Sequence, residues 1–273
     1  MDFTETELSA TVAEIQTEAA EIVAYIESLC ERIERINPDV EALLPETDRR
    51  SRLLTAAGRL RNDSADSTAT LPLYGVPVGI KDIFLVHGFA TKAGGAVPPH
   101  LFGGSEAAVV RSLREHGAII AGKTVSTEFA MSAPGPTRNP HDLEHTPGGS
   151  SSGSAAAVAA GLCPVAVGTQ TNGSVIRPAA FCGIVGFKPT YDRIPTDGLV
   201  TLSPSADHVG LFSRTVGGMW QVASVVCSEW EPAPEPSRPT LGVVDGPYLE
   251  QASPDARQQF EATVRQLEAA GYD

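Results

Sequence analysis

The sequence predicts an α/β protein, a mixed β-sheet core flanked by α-helices, and three observations carry that reading. Apolar runs of strand length, LYGVPVGIKDIFLV, AIIAGKTV and PVAVGTQT, are nearly continuous, as in strands covered on both faces. Between them lie stretches with helical spacing and helical end signals, a βαβ rhythm. The length, 273 residues, supplies a core for one or two domains with no need of disulfide staples.

In chain order, Leu8, Val12, Ile15, Ala19, Ile22, Ile26, Leu29, Ile33 and Ile36 recur at three-and-four spacing and predict one or two amphipathic helices. NPDVEALLP reads as a turn and short strand, DRRSRLLTAAGRLRND as a further helix, and the polar RNDSADSTAT as a loop. LYGVPVGIKDIFLV predicts a buried strand pair. Ser105 is placed to cap a helix with Glu106 in its first turn, running through Val109 and Leu113 to Gly117, and AIIAGKTV is the next strand. Residues 131–154 are dominated by Pro, Gly, Ser, Asn and His, a loop longer than a compact domain keeps without a use. SAAAVAAG, closed by Gly161, and RPAAFCG are short helices of small residues on either side of the strand PVAVGTQT. Residues 215–226 are helical, SEWEPAPEPSRPT is a Pro-rich connector, and TLGVVDG is a strand. Ser253 as N-cap, Pro254 in the first position and Gly271 as the stop define a last helix. The expected organisation is a helical N-terminal segment (1–70) of the same domain as a core (71–226), then a connector (227–240) and a βα unit (241–273).

Thirty-three acids against 20 bases leave a formal charge of −13, which argues against a nucleic-acid partner, because phosphate binding needs a net basic face. No stretch approaches the roughly 20 apolar residues of a membrane span, and the acidic start MDFTETELSA lacks the basic and apolar regions of a signal peptide. Cys30, Cys163, Cys182 and Cys227 are scattered, with no CxxC pair, and read as buried free thiols of a cytoplasmic protein. Lys81, Lys92, Lys123 and Lys188 are the only lysines, so each is informative, and an acidic excess with so few lysines suits a salt-rich cytoplasm.

Three motifs fail on context. Gly117 to Thr124 satisfies G-x-x-x-x-G-K-[ST], but its middle residues read as strand, and a strand cannot wrap a phosphate. His141-Asp-Leu-Glu-His145 matches H-x-x-E-H, yet Pro140 and Pro147 bracket it and leave no helix to bring both imidazoles to one face. Gly149-Ser-Ser151-Ser-Gly153 matches G-x-S-x-G, but no apolar strand precedes the serine, and His208 is the only histidine downstream.

Three segments are too unusual for packing alone: GVPVGIKDIF around Lys81, PGGSSSGSAAAVAAG around Ser150, and GTQTNGSVIRPAAFCGIVGFKPT around Ser174. Lys81 is either a strand-end lysine paired with Asp82 or a buried amine. A buried amine serves as a base once desolvation lowers its pKa from about 10.4 by roughly three units. Thr171-Asn172-Gly173-Ser174 reads as a tight turn whose backbone N–H groups can meet an oxyanion.

From about Leu71 to Leu211 these motifs resemble, in order and spacing, the amidase signature family of serine hydrolases; the two serine runs stand 24 residues apart, as that family's pattern requires. The resemblance implies a serine–serine–lysine triad: Lys81 as base, Ser150 as the bridging serine after a cis peptide bond, and Ser174 as the acyl-forming nucleophile. It implies hydrolysis of a small-molecule amide with no metal or cofactor. GTQT, NPHxxxHxPGGSSSGS and an arginine three residues after Ser174 are similar to the malonamidase branch, where the arginine binds a substrate carboxylate; Arg177 would do so here, with a structural ion pair as the other reading. Alternatives are a protein like the glutamine-hydrolysing A subunit of an amidotransferase, an inactive truncated amidase acting as an interaction module, and a P-loop nucleotide binder. Family members usually exceed 400 residues, so the chain is expected to be incomplete at its C-terminus and to need a homodimer or a partner segment.

Overall fold

The computed structural model describes Leu8, Val12, Ile15 and residues 21–65, 71–231 and 238–273. Parts of the first expected helix, residues 66–70 of the expected loop and residues 232–237 of the Pro-rich connector lie outside the described residues. The chain divides into two compact units, residues 1–230 and 231–273.

In the first unit, α1 (Glu21–Val40) turns Ile22, Ile26, Leu29 and Ile33 into the core as one stripe, the three-and-four pattern of the sequence. The turn and strand expected over NPDVEALLP are corrected: α1 runs on through Pro38 to Val40, and Leu43 makes only an isolated bridge to Thr124. Asn37 explains the helix exit. Its Oδ1 accepts from Ala42 N and Leu43 N at 3.1 and 2.8 Å, and Glu41 takes a φ of 51°, the left-handed step that ends helices. Next, α2 (Arg49–Ala65) extends two residues past its expected end and packs against α1.

Five strands form one mixed sheet in the order β2-β1-β3-β5-β4. The parallel set is β2 (Ile119–Thr124), β1 (Pro77–Lys81) and β3 (Val165–Gln170), every residue of which is buried, as a sheet covered on both faces requires. Antiparallel to β3 runs β5 (His208–Ser213), and β4 (Val185–Phe187) pairs antiparallel with β5. The expected strand pair over residues 73–86 is a single strand. After Lys81 the chain turns, with Ile83 N and Phe84 N both donating to Lys81 O. The helix α3 (Ala108–Glu115) crosses from β1 to β2, but Ser105 does not cap it: the N-cap is Ala107, and the Glu106 carboxylate instead accepts from His87 N at 2.9 Å and lies 3.4 Å from Arg114.

α4 (Ser152–Ala159) begins at the end of the long loop and is buried along most of its length, because Ser, Gly and Ala let it approach the sheet closely. α5 (Ile176–Phe181) starts two residues after Ser174, and α6 (Val216–Val226) is capped by the Thr215 side chain. In the second unit, α7 (Pro247–Glu250) precedes α8 (Pro254–Ala269), which Ser253 caps by accepting from Ala256 N at 3.2 Å; the chain leaves it through Gly271 at a φ of 84°. The strand expected over TLGVVDG is not formed: residues 240–246 find no strand partner among the described residues.

Candidate active site

The C-terminal ends of β1 and β3 bring Lys81 and the two serine segments together. Lys81, the last residue of β1, is fully buried; its Nζ donates to Ser150 Oγ at 2.8 Å and to Thr169 Oγ1 at 2.9 Å. No carboxylate among the described residues touches it. Asp82 is engaged elsewhere, with Oδ1 2.9 Å from Lys123 Nζ and Oδ2 accepting from Lys92 N at 3.2 Å, which removes the simple Lys81–Asp82 pair. Burial therefore acts on an unpaired amine and pushes Lys81 down to about 7, against a smaller upward pull from the Asp207 carboxylate.

Ser150 enters α4 through the Gly149–Ser150 peptide, which is cis. Its carbonyl accepts from Thr127 N at 3.1 Å, so both ends of the residue are held. Ser174 is buried to 8% exposure between β3 and α5, and its Oγ makes no hydrogen bond among the described residues: the structure joins Lys81 to Ser150 but leaves the Ser150–Ser174 step open. Apo geometry of catalytic hydrogen bonds is often looser than that of the complex.

The turn before Ser174 is shaped by Gln170, whose Oε1 accepts from Val175 N at 2.9 Å and Ile176 N at 3.0 Å. With those donors satisfied, the backbone N–H groups of Asn172, Gly173 and Ser174 carry no hydrogen bond among the described residues, and Thr171 is fixed by its hydroxyl donating to Asp207 Oδ1. Arg177 is exposed and forms no ion pair among the described residues; its Nε donates to Gly149 O at 2.9 Å, which ties α5 to the peptide preceding Ser150. Thr169 and Asp207 escaped the sequence reading, and Gln170 entered it only within the GTQT run, without its role in shaping the turn. The sole signal for Asp207 is a lone acid placed directly before the apolar run HVGLF.

The failed motifs find structural reasons. Lys123 lies in β2 with its amine buried against Asp82, Phe84 O and Thr91 Oγ1, so the segment presents neither the loop nor the free lysine that a phosphate site needs. His141 Nε2 is 2.9 Å from Cys182 O, and His145 pairs with Asp142 at 3.0 Å in the loop; no group of three or more His, Cys, Asp or Glu among the described residues is arranged for a metal ion. Ser151 is buried, donating to Thr169 O at 3.1 Å and accepting from Thr169 N at 3.2 Å, the bonding of a structural hydroxyl. All four cysteines are free and buried, and burial alone pushes Cys182 up to about 12. No helix among the described residues is long and apolar enough to cross a membrane.

Comparison with known proteins gives one answer at two levels. The Amidase family model matches residues 24–273. The A subunit of glutamyl-tRNA(Gln) amidotransferase from Koribacter versatilis is 36% identical over all of this chain and 61% of its own length; that from Acidothermus cellulolyticus is 39% identical over 99% of this chain and 53% of its own. A crystal structure of an amidase superposes at a TM-score of 0.83 with 31% identity over 98% of this chain and 62% of that one. The peptide amidase of Stenotrophomonas maltophilia gives 0.75 with 30% identity, covering 86% of this chain and 52% of its own. The chain thus spans between half and two thirds of the length of these relatives.

Proposed function

The chain belongs to the amidase family, and from that premise we propose that it hydrolyses the C–N bond of a carboxylic amide through an acyl-enzyme on Ser174, with Ser150 and Lys81 as its proton relay. The observation that carries this reading is the buried, carboxylate-free Lys81 at 2.8 Å from Ser150. Neutral Lys81 takes the Ser150 proton while Ser150 takes that of Ser174, and the freed Ser174 oxygen adds to the amide carbon. The oxyanion faces the N–H groups of residues 171–174, where losing one donor costs about 10²–10³ in rate. Collapse breaks the C–N bond as the proton returns through Ser150 to the leaving ammonia or amine. Water then hydrolyses the ester by the same relay. The chain's own side chains supply every proton transfer, so the reading calls for no cofactor.

Arg177 supports a substrate with a second carboxylate. Its Nε is used on Gly149 O, but the residue is exposed and its Nη atoms make no hydrogen bond or ion pair among the described residues, which leaves them for a carboxylate. The relatives named as amidotransferase A subunits favour a second reading, in which the amide is that of glutamine and the chain works beside a partner protein. A homodimer is the alternative assembly. Four free buried thiols support a cytoplasmic setting.

The test is intact mass and peptide mapping after exposure to a fluorophosphonate, followed by turnover of amides with and without a second carboxylate. One adduct on Ser174, absent in Ser174→Ala, is expected; a folded chain without it, or an adduct on Ser151, overturns the reading. Arg177→Ala should spare neutral amides and weaken charged ones by tenfold or more, roughly. Equal losses on both would remove the carboxylate clamp.

A further inference from the structure

Among the described residues, five charged side chains are buried: Lys81, Asp82, Glu106, Lys123 and Asp207. A buried charge without a partner is costly, so the pairing of these five is informative. Lys123 Nζ lies 2.9 Å from Asp82 Oδ1, and Arg114 Nε lies 3.4 Å from Glu106 Oε1. Both of those acids are engaged. Two groups remain: Lys81, whose partners are hydroxyls, and Asp207, which has no cationic side chain at ion-pair distance among the described residues.

Their hydroxyl partners connect them. Lys81 Nζ donates to Thr169 Oγ1 at 2.9 Å, and Thr171 Oγ1 donates to Asp207 Oδ1. Thr169 and Thr171 are two residues apart on the run of chain that leads to Ser174, about 7 Å by the rise of an extended strand. The other Asp207 oxygen accepts from Leu202 N at 2.8 Å and Ser203 N at 2.9 Å, so the carboxylate is held in one place.

We propose that Asp207 is a positioning residue of the hydrolytic site, the counter-charge that steadies Lys81 whenever Lys81 holds a proton. A buried base has two conflicting requirements. It must be neutral at rest, yet it must carry a positive charge while Ser174 is being acylated. Desolvation meets the first requirement and opposes the second. A carboxylate in contact would fix the lysine as ammonium at all times; one held at threonine range favours the ammonium without claiming the proton. Asp82, though next in sequence, is neutralised by Lys123 on β2. The strand β3 and helix α4 contribute no ionisable side chain; on β5, His208 Nδ1 lies 2.8 Å from Ala206 O, and on α5, Arg177 Nε is bound to Gly149 O.

The purpose of this counter-charge rests on the hydrolytic reading, but the charge relation does not, and the test needs no turnover. With only four lysines in the chain, NMR on isotope-labelled lysine identifies Lys81 by the signal lost in Lys81→Met. In Asp207→Asn the Lys81 titration midpoint falls by about one pH unit, and in Asp207→Glu it returns most of the way. In Thr171→Val, which keeps the carboxylate, it moves by less than half of that. A midpoint unchanged or raised in a folded Asp207→Asn chain overturns the proposal, as does an equal shift in Thr171→Val. Should Asp207→Asn not fold, labelled aspartate in the parent chain decides. One carboxyl-carbon signal should inflect at the Lys81 midpoint and lose that inflection in Lys81→Met, and its absence overturns the proposal. Failure of Ser174 to label, with these titrations intact, would count against the hydrolytic reading alone.

Discussion

At the scale of single residues, the buried lysine proposed as the base works against the stability of the fold. Lys81 is fully buried, and burial lowers it to about 7, whereas in the unfolded chain it titrates near 10.4. Below pH 7 both states hold the proton and the native state bears the whole penalty of a buried ammonium. Between about 7 and 10.4 the unfolded state alone binds the proton, so this group makes stability rise with pH, and above that window the penalty is gone. Lys81→Met, which fills the same space with apolar atoms, is therefore expected to abolish turnover and yet to raise Tm at pH 7. The Tm gain over the parent should shrink as pH is raised towards 10. Thermal unfolding of both chains across that range checks it, and a gain that grows with pH would mean Lys81 is not neutral in the folded protein.

At the scale of elements, close approach is what sets the site, and glycine is what permits it. A Cβ on Gly153 in α4 would stand 2.3 Å from Val125 N and 2.4 Å from Ala42 O, backbone atoms with no room to yield. Gly58 in α2 would meet nothing within 4 Å. Gly153→Ala is thus expected to cost on the order of 3 kcal/mol, and Gly58→Ala to add about 0.5–1 kcal/mol, in denaturant titrations. The Asp82–Lys123 link between the end of β1 and β2 gives a second contrast: Lys123→Met alone should cost about 3–5 kcal/mol by stranding a buried carboxylate, and adding Asp82→Asn should recover much of that. Elements whose signals are local were legible in the sequence. Ser253 and Gly271 bound α8 as expected because a cap and a left-handed stop involve only near neighbours. Ser105 misled because Glu106 is drawn to Arg114 and to His87 N, across the fold. VGF and HVGLFS passed unread as β4 and β5, since a short glycine-containing run becomes a strand only through its partner, and TLGVVDG, which reads as strand, lacks one among the described residues. The site divides in the same way. The motifs singled out Lys81, Ser150 and Ser174, of which the structure brings Lys81 and Ser150 to hydrogen-bond distance, whereas the Thr169 and Asp207 contacts join residues 88 and 36 positions apart and leave no periodic trace.

At the scale of the whole molecule, the charge is a surface property. Among the described residues only three acids are buried, Asp82 and Glu106 beside a cationic partner and Asp207 without one, and most of the remaining described carboxylates are exposed. Exposed like charges repel over a Debye length of roughly 10 Å at 0.1 M salt and about 3 Å at 1 M, and unfolding relieves that repulsion by spreading the charges. Added KCl is therefore expected to stabilise the protein, by about 2–4 °C in Tm for each kcal/mol of repulsion screened. The shape of the rise identifies its cause. Screening is mostly complete below about 0.3 M, because the Debye length falls with the square root of ionic strength, while exclusion of salt from the protein surface grows steadily to molar concentrations. A Tm that climbs steeply in the first few tenths molar and then flattens assigns the gain to the acidic surface. A straight line to molar KCl assigns it to solvent exclusion, and indifference to KCl would mean that the surplus carboxylates lie too far apart to repel and that the acidic composition has no bearing on stability.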